Sequence, residues 1–214
     1  MTPDLIPALR DAFGWDGEVT LAPGPRGALG QIWRLDAGPA RFALKEIFGE
    51  PPSPALVEAE LAFARRAVEA GVRLPASHAD RAGRYVLALP GTGSAVAWLR
   101  LYDWVDLSPV DLAAPATPAA LGALLARLHR CAPAAPVEPD GTAPDPWYHE
   151  APAPPGLAGR LGERVAQLPE LCAAVGPADP ATLILCHRDL HPENVLAVGA
   201  VSYTHLTLPT NREV

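Results

Sequence analysis

The run His187-Arg188-Asp189-Leu190-His191-Pro192-Glu193-Asn194 sets an aspartate, four intervening residues and then an asparagine. That pair suits phosphoryl transfer to a hydroxyl. The carboxylate orients the hydroxyl and accepts its proton, and the amide oxygen holds a metal ion that neutralises the phosphates. Asp and Asn are also common turn formers, so a capped turn is the plain structural use of the same residues. A second singular residue lies far upstream. Ala and Pro are abundant, Arg replaces Lys almost throughout, and the chain holds one lysine, Lys45, and two asparagines, Asn194 and Asn211. Such a bias fits a GC-rich gene, so each exception is a candidate for chemistry that Arg or Asp cannot supply. An ammonium on a flexible stem suits phosphate oxygens; a solvated surface lysine is the structural alternative. Cys186, His187 and His191 suggest a zinc hydrolase instead. Histidines at i and i+4 bind zinc when both lie on one helix face, and Pro192 after a strand argues for a loop.

These residues need elements to hold them. Thr2-Pro3-Asp4 reads as a helix start, followed by Leu5, Ile6, Leu9 and Phe13 on one face and ended at Gly14. Val19 to Ile47 is strand-like. Alternation over 32–36, the Ala37-Gly38-Pro39 turn and the return over Arg41–Ile47 predict a hairpin with Lys45 on its second arm. Gly24, Gly27 and Gly30 precede it. Ser53-Pro54 starts a helix with Val57, Leu61, Ala64 and Val68 at helical spacing, stopped at Gly71. At 100° per residue Glu60 sits nearer that stripe than Glu58 does. Two short strands, 85–89 and 95–101, follow. Thr117-Pro118 caps a helix with Leu121, Leu124, Leu125 and Leu128 on one face. The stretch 132–156 is Pro-rich and aperiodic, 157–168 is helical, and 182–186 and 195–198 are strands around the Asp189 loop. This is an α+β layout in two lobes: 1–100 sheet and helix, a connection at 101–106, and a mainly helical 107–200.

The Asp-Leu-His-Pro-Glu-Asn run resembles the catalytic loop of the aminoglycoside phosphotransferase family, small-molecule kinases of the protein-kinase-like fold. The resemblance extends over the chain to about residue 200. It implies ATP and Mg2+ as cofactors, Asp189 as catalytic base, Asn194 as a metal ligand and a structural His187. It further implies that Lys45 contacts the α- and β-phosphates and pairs with a helix carboxylate, Glu60 ahead of its competitor Glu58. Leu101, Tyr102 and Val105 fall where the hinge to adenine is expected. The three glycines would shape either a phosphate-covering loop or a plain one, since they do not spell G-x-G-x-x-G. His191 stands where protein kinases commonly carry lysine, which favours a small-molecule hydroxyl acceptor: an aminoglycoside or other antibiotic, choline, a hydroxy amino acid or a sugar. The acidic and aromatic stretch 138–150 would face a cationic acceptor or form a solvated linker.

The residues from Val201 depart from the composition, with three threonines in seven residues. They read as a translated sequencing adapter, so native sequence is expected to end near Ala200 in a truncated, bacterial chain. A second metal-binding aspartate, expected roughly fourteen residues past Asn194, would fall in this tail, and no aspartate follows Asp189. The expectation is a phosphotransferase by descent that turns over negligibly as written; a nucleotide-binding fragment or pseudokinase is the competing description. The net charge of −7 disfavours nucleic acid. No apolar run spans a bilayer and no signal peptide is evident, so a cytoplasmic location without membrane partners is expected. The three cysteines lack metal-like spacing and read as reduced thiols.

Overall fold

In a computed structural model, the structure describes residues 5–90, 96–134, 167, 184–186, 190, 195–198 and 201–204. The chain divides into two compact units, Met1–Cys131 with His187–Thr210, and Ala132–Cys186 with Asn211–Val214.

The first unit is built on a six-stranded antiparallel sheet. Strands β1 (Val19–Arg26), β2 (Gly30–Ala37) and β3 (Ala40–Ile47) form a meander, and β3 pairs with β6 (Val96–Asp103). On its other side β6 takes two short partners, β4 (Ser77–His78) and β5 (Leu87–Pro90). The β2–β3 hairpin pairs Ala37 with Ala40, and Gly38 takes φ 59°. A positive φ at the first position of a two-residue loop matches the strand twist, and glycine adopts it without a Cβ clash.

Strand alternation separates two faces. Leu35, Leu44, Leu87, Leu99 and Leu101 lie on one face and are sealed by helix α1 (Leu5–Phe13) through Leu5 and Leu9. Phe13, Trp15 and Phe42 stack at its edge. The neighbours of these leucines, Lys45 and Arg100, point to the opposite face, because successive side chains alternate across a strand.

Helix α2 (Pro54–Glu69) starts as the sequence predicts. Ser53 is extended, its Oγ accepts from the Leu56 amide at 3.3 Å, and Pro54 opens the helix. Its inward face differs from the expected one. Val57, Glu60, Phe63 and Ala67 are buried, whereas Val68 is 54% exposed and Leu61 and Ala64 are half-buried. The stripe turns toward Phe63, the largest side chain available, and toward Glu60, whose carboxylate has a buried partner on the sheet. Glu58 is exposed.

Helix α3 (Thr117–Cys131) buries Leu124 and Leu128; Leu125, expected on that face, is 38% exposed. Thr117 Oγ1 donates to the Asp111 carbonyl at 2.6 Å, anchoring the helix start to the preceding turn. A second antiparallel sheet orders β7 (Ser108–Pro109), β8 (Val195–Val198) and β9 (Val201–Thr204). The first residues of the compositionally foreign tail therefore pair in register with β8, from Val198↔Val201 to Val195↔Thr204.

In the second unit, Ala134 bridges Ile184 and the Leu185 amide donates to the Pro133 carbonyl at 2.9 Å. The strand expected over 182–186 is thus an isolated bridge within its described part. The helix expected over 157–168 lies outside the described residues except for residue 167. Among the described residues, no helix is long and apolar enough to cross a membrane.

Candidate functional site

Lys45 lies on β3, directly across from Arg100 on β6 and from Ile32 on β2. Cross-strand partners share a face, so two cations stand side by side. The carboxylate that meets them comes from α2. Glu60 Oε2 accepts from Arg100 Nη1 at 2.8 Å, and both side chains are sealed from solvent. Lys45 makes no ion pair among the described residues; the expected Lys45–Glu60 bond is replaced by Glu60–Arg100. The geometry gives the reason. The guanidinium occupies the position beside the carboxylate and is the better fork for it, being planar and carrying several donors.

Electrostatics follow from this arrangement. Burial lowers the pKa of Lys45, the Arg100 charge lowers it further, and Glu60 works in the other direction. Burial opposes the Arg100 charge, yet Tyr102 and Glu60 outweigh it and hold its pKa above the ordinary arginine value. Tyr102, on the same face, is pushed up by burial. Arg100 Nε and Nη2, the Tyr102 hydroxyl and Ser77 Oγ are buried without hydrogen-bond partners among the described residues, while the guanidinium lies over the Tyr102 ring at 5.2 Å. Among the described residues the cluster has two cations and one carboxylate. Such a site favours an anion, because an excess of buried positive charge costs most when nothing neutralises it.

The glycine segment sits at the mouth of the hairpin. Gly24 lies in β1 and Gly30 opens β2. A Cβ on Gly30 would lie 2.4 Å from the Glu46 carbonyl oxygen, so only glycine lets these strands approach. Gln31 is the residue that sequence reasoning missed here. It is buried, and its Nε2 donates to the Gly24 carbonyl at 2.6 Å, to Ile32 at 2.9 Å and to Pro25 at 3.2 Å. One amide thus pins the end of β1 against β2.

The expected hinge divides in two. Leu101 and Tyr102 are buried within β6, flanked by Leu44 and Ala43 of β3 and by His78 and Ser77 of β4. Their backbones belong to the sheet. Val105 lies beyond the strand and is half-buried. The exit is braced: Asp103 bonds His78 Nε2 at 2.6 Å and accepts from the Ala76 amide at 3.2 Å, while Trp104 Nε1 donates to Asp106 at 2.9 Å.

A cavity of about 460 Å³ lies beside α2, lined by Glu60, Ala64, Val68, Leu74, Ser77 and Tyr102. It contains no β1 or β2 residue and is separate from the glycine segment. Asp189 and Asn194 lie outside the described residues, as do His187, His191 and the 138–150 stretch; Leu190 and the β8 strand after the loop are described, with Val195 fully buried.

The sequence matches the family described as the phosphotransferase enzyme family over residues 20–201. No curated protein matches it. Solved structures do. An amicoumacin kinase, hAmiN, in complex with AMP-PNP, Ca2+ and Ami, is 17% identical with a TM-score of 0.65, covering 95% of this chain and 63% of that one. A microcompartment-associated aminopropanol kinase is 18% identical with a TM-score of 0.64, at 91% and 64% coverage. An aminoglycoside phosphotransferase from Alicyclobacillus acidocaldarius is 16% identical with a TM-score of 0.60, at 95% and 65%. The chain thus spans just under two thirds of the length of these structures, and the likeness establishes the kinase-like fold.

Proposed function

This chain belongs to the phosphotransferase enzyme family, and from that premise we propose that its parent activity is transfer of the γ-phosphate of ATP to a hydroxyl of a small molecule, an aminoglycoside-like antibiotic or a related metabolite. The family match across 20–201 carries this reading. The cation-rich cluster at Lys45 supports it, because buried positive charge beside a glycine-bearing hairpin fits a polyphosphate. The solved kinase in complex with AMP-PNP is consistent with nucleotide as the ligand.

Each residue has a role in this proposal. Lys45 contacts the α- and β-phosphates. Glu60 sets the cationic cluster from α2. The segment beyond Asp103, including Val105, meets adenine, while Leu101 and Tyr102 form the wall beneath it. Asp189 is the base that accepts the hydroxyl proton, and Asn194 holds Mg2+, which neutralises phosphate charge when bound. No aspartate follows Asp189 to hold a second metal contact, so the chain as written is proposed to bind nucleotide with negligible turnover.

Calorimetric titration of the chain with ATP and Mg2+ tests the first part. Binding that weakens about tenfold or more in Lys45→Ala is expected, on the scale of one lost charge-assisted contact; no binding by the unaltered chain overturns the nucleotide reading. A phosphotransfer assay tests the second part, and turnover that Asp189→Ala abolishes would show the chain to be competent.

A further inference from the structure

We propose that the cavity beside α2 is a binding site for a compact, uncharged, largely apolar molecule that carries a hydrogen-bond acceptor. The proposal does not rest on the nucleotide reading above, since neither Lys45 nor any residue of β1 or β2 lines this cavity.

The wall chemistry comes first. At about 460 Å³ the cavity falls in the range of sites that enclose a small molecule, about 300–1,000 Å³. The sequence places Val57, Leu61, Ala64 and Val68 on one stripe of α2, yet only Val57 of these is buried against protein. Leu61, Ala64 and Val68 line the cavity instead, together with Leu74 and Tyr85. The stripe predicted as core is therefore apolar surface turned toward an unfilled space.

A pair of unmet hydroxyls points to the polar part of the ligand. Ser77 and Tyr102 are register partners on β4 and β6, so they share a face, and both line the cavity. Tyr102 is 6% exposed, and its hydroxyl and Ser77 Oγ are buried without a hydrogen-bond partner among the described residues. Burial pushes the Tyr102 pKa up, so the phenol keeps its proton. Its ring is held under the Arg100 guanidinium, 5.2 Å from the centroid. Two O–H groups set in an apolar wall are costly while unmet, and both can donate to one acceptor such as a carbonyl oxygen.

Charge narrows the class further. Glu60 lines the cavity, but its carboxylate is taken by Arg100 Nη1 at 2.8 Å. Arg65 and Glu69, one of each sign, are exposed. Among the described residues the interior thus offers an ionic ligand no spare counter-charge, and an ion buried without one is strongly penalised. An uncharged molecule bound here would join α2 to β4 and β6 and stabilise the folded chain by mass action.

Three probes test this on the full chain: α-tetralone, a bicyclic ketone; tetralin, the same skeleton without the carbonyl; and naphthoate, a carboxylate of similar size. Saturation-transfer NMR reads binding, and thermal unfolding reads stabilisation. α-Tetralone is expected to bind saturably and to raise the melting temperature, with tetralin about fivefold weaker for the lost hydrogen bond and naphthoate weaker than either. Tyr102→Phe should weaken α-tetralone about fivefold and narrow its advantage over tetralin. The same variant should not lower the ligand-free melting temperature, because this hydroxyl has no partner to lose. Val68→Phe, at an exposed position, and Ala64→Leu should each fill the cavity and weaken α-tetralone about tenfold; either one suffices if the other does not fold. Absence of saturable α-tetralone binding, or an affinity unchanged by the filling variants, overturns the site. Tetralin or naphthoate binding as tightly as α-tetralone overturns the ligand class.

Discussion

The two faces of the central sheet use the same strands for opposite ends. On the α1 side, Leu44, Leu99 and Leu101 close with Leu5 and Leu9 into a cluster of apolar side chains. One residue along each strand, on the other side, stand Lys45 and Arg100, with Glu60 descending from α2. The first face is mainly apolar, with Trp33 Nε1 donating to Glu46 at 3.0 Å, and contributes burial free energy. The second holds, among the described residues, two cations, one carboxylate and several polar atoms without a hydrogen-bond partner, which add no such burial free energy. A period of two therefore lets eight-residue strands carry a core and a charged site at once, with no loop needed to present Lys45.

Three substitutions sharpen this contrast. Glu60→Ala strands a buried guanidinium, and a loss of about 3–5 kcal/mol is expected for breaking one side of a buried ion pair. Chemical denaturation would measure it, and a loss below about 1 kcal/mol, the range of an exposed pair, would show that water reaches Arg100. Leu44→Ala acts on the opposite face one residue from Lys45. It should cost about 2–5 kcal/mol through lost burial and a cavity, while leaving in place the pH midpoint for amine acylation of Lys45, the only lysine in the chain. A midpoint that moves would mean the two faces are coupled through the strand. Gly30→Ala belongs to neither face. Its Cβ would press on the Glu46 carbonyl, so about 1–3 kcal/mol of overpacking strain is expected, with thermal unfolding as the readout. An unaffected melting temperature would show that the β2–β3 edge yields freely.

Much of this arrangement was legible in local sequence. The β2–β3 hairpin follows from alternation and the Gly38 turn, and α2 follows from Ser53-Pro54. Lys45 stood out because the composition makes lysine rare. The partner of Glu60 was not legible. Glu60 and Arg100 are 40 residues apart, and the only local hint is a charge inside the apolar run Trp98-Leu99-Arg100-Leu101-Tyr102. Gln31 is hidden for a similar reason: its three acceptors are backbone carbonyls, which leave no trace in side-chain pattern. The two-residue strands β4 and β7 are too short to show a period. They exist because β6 and β8 offer a free edge. Leu101 and Tyr102, expected in the hinge, belong to β6, since nothing in Leu101-Tyr102-Asp103 announces that the strand continues through them. Asp189 and Asn194 stay expectations of the sequence, being outside the described residues.

The pairing of β9 with β8 has a practical consequence. Residues 201–204 look alien by composition, and a tidy expression design would remove them. They nevertheless place β8, with its Val195-Leu196-Ala197-Val198 run, between two neighbours. Trimming at Ala200 would turn that apolar strand into an open edge, and open apolar edges recruit other chains. A shortened protein would then tend to self-associate, and its loss from solution could be mistaken for a defect in the site.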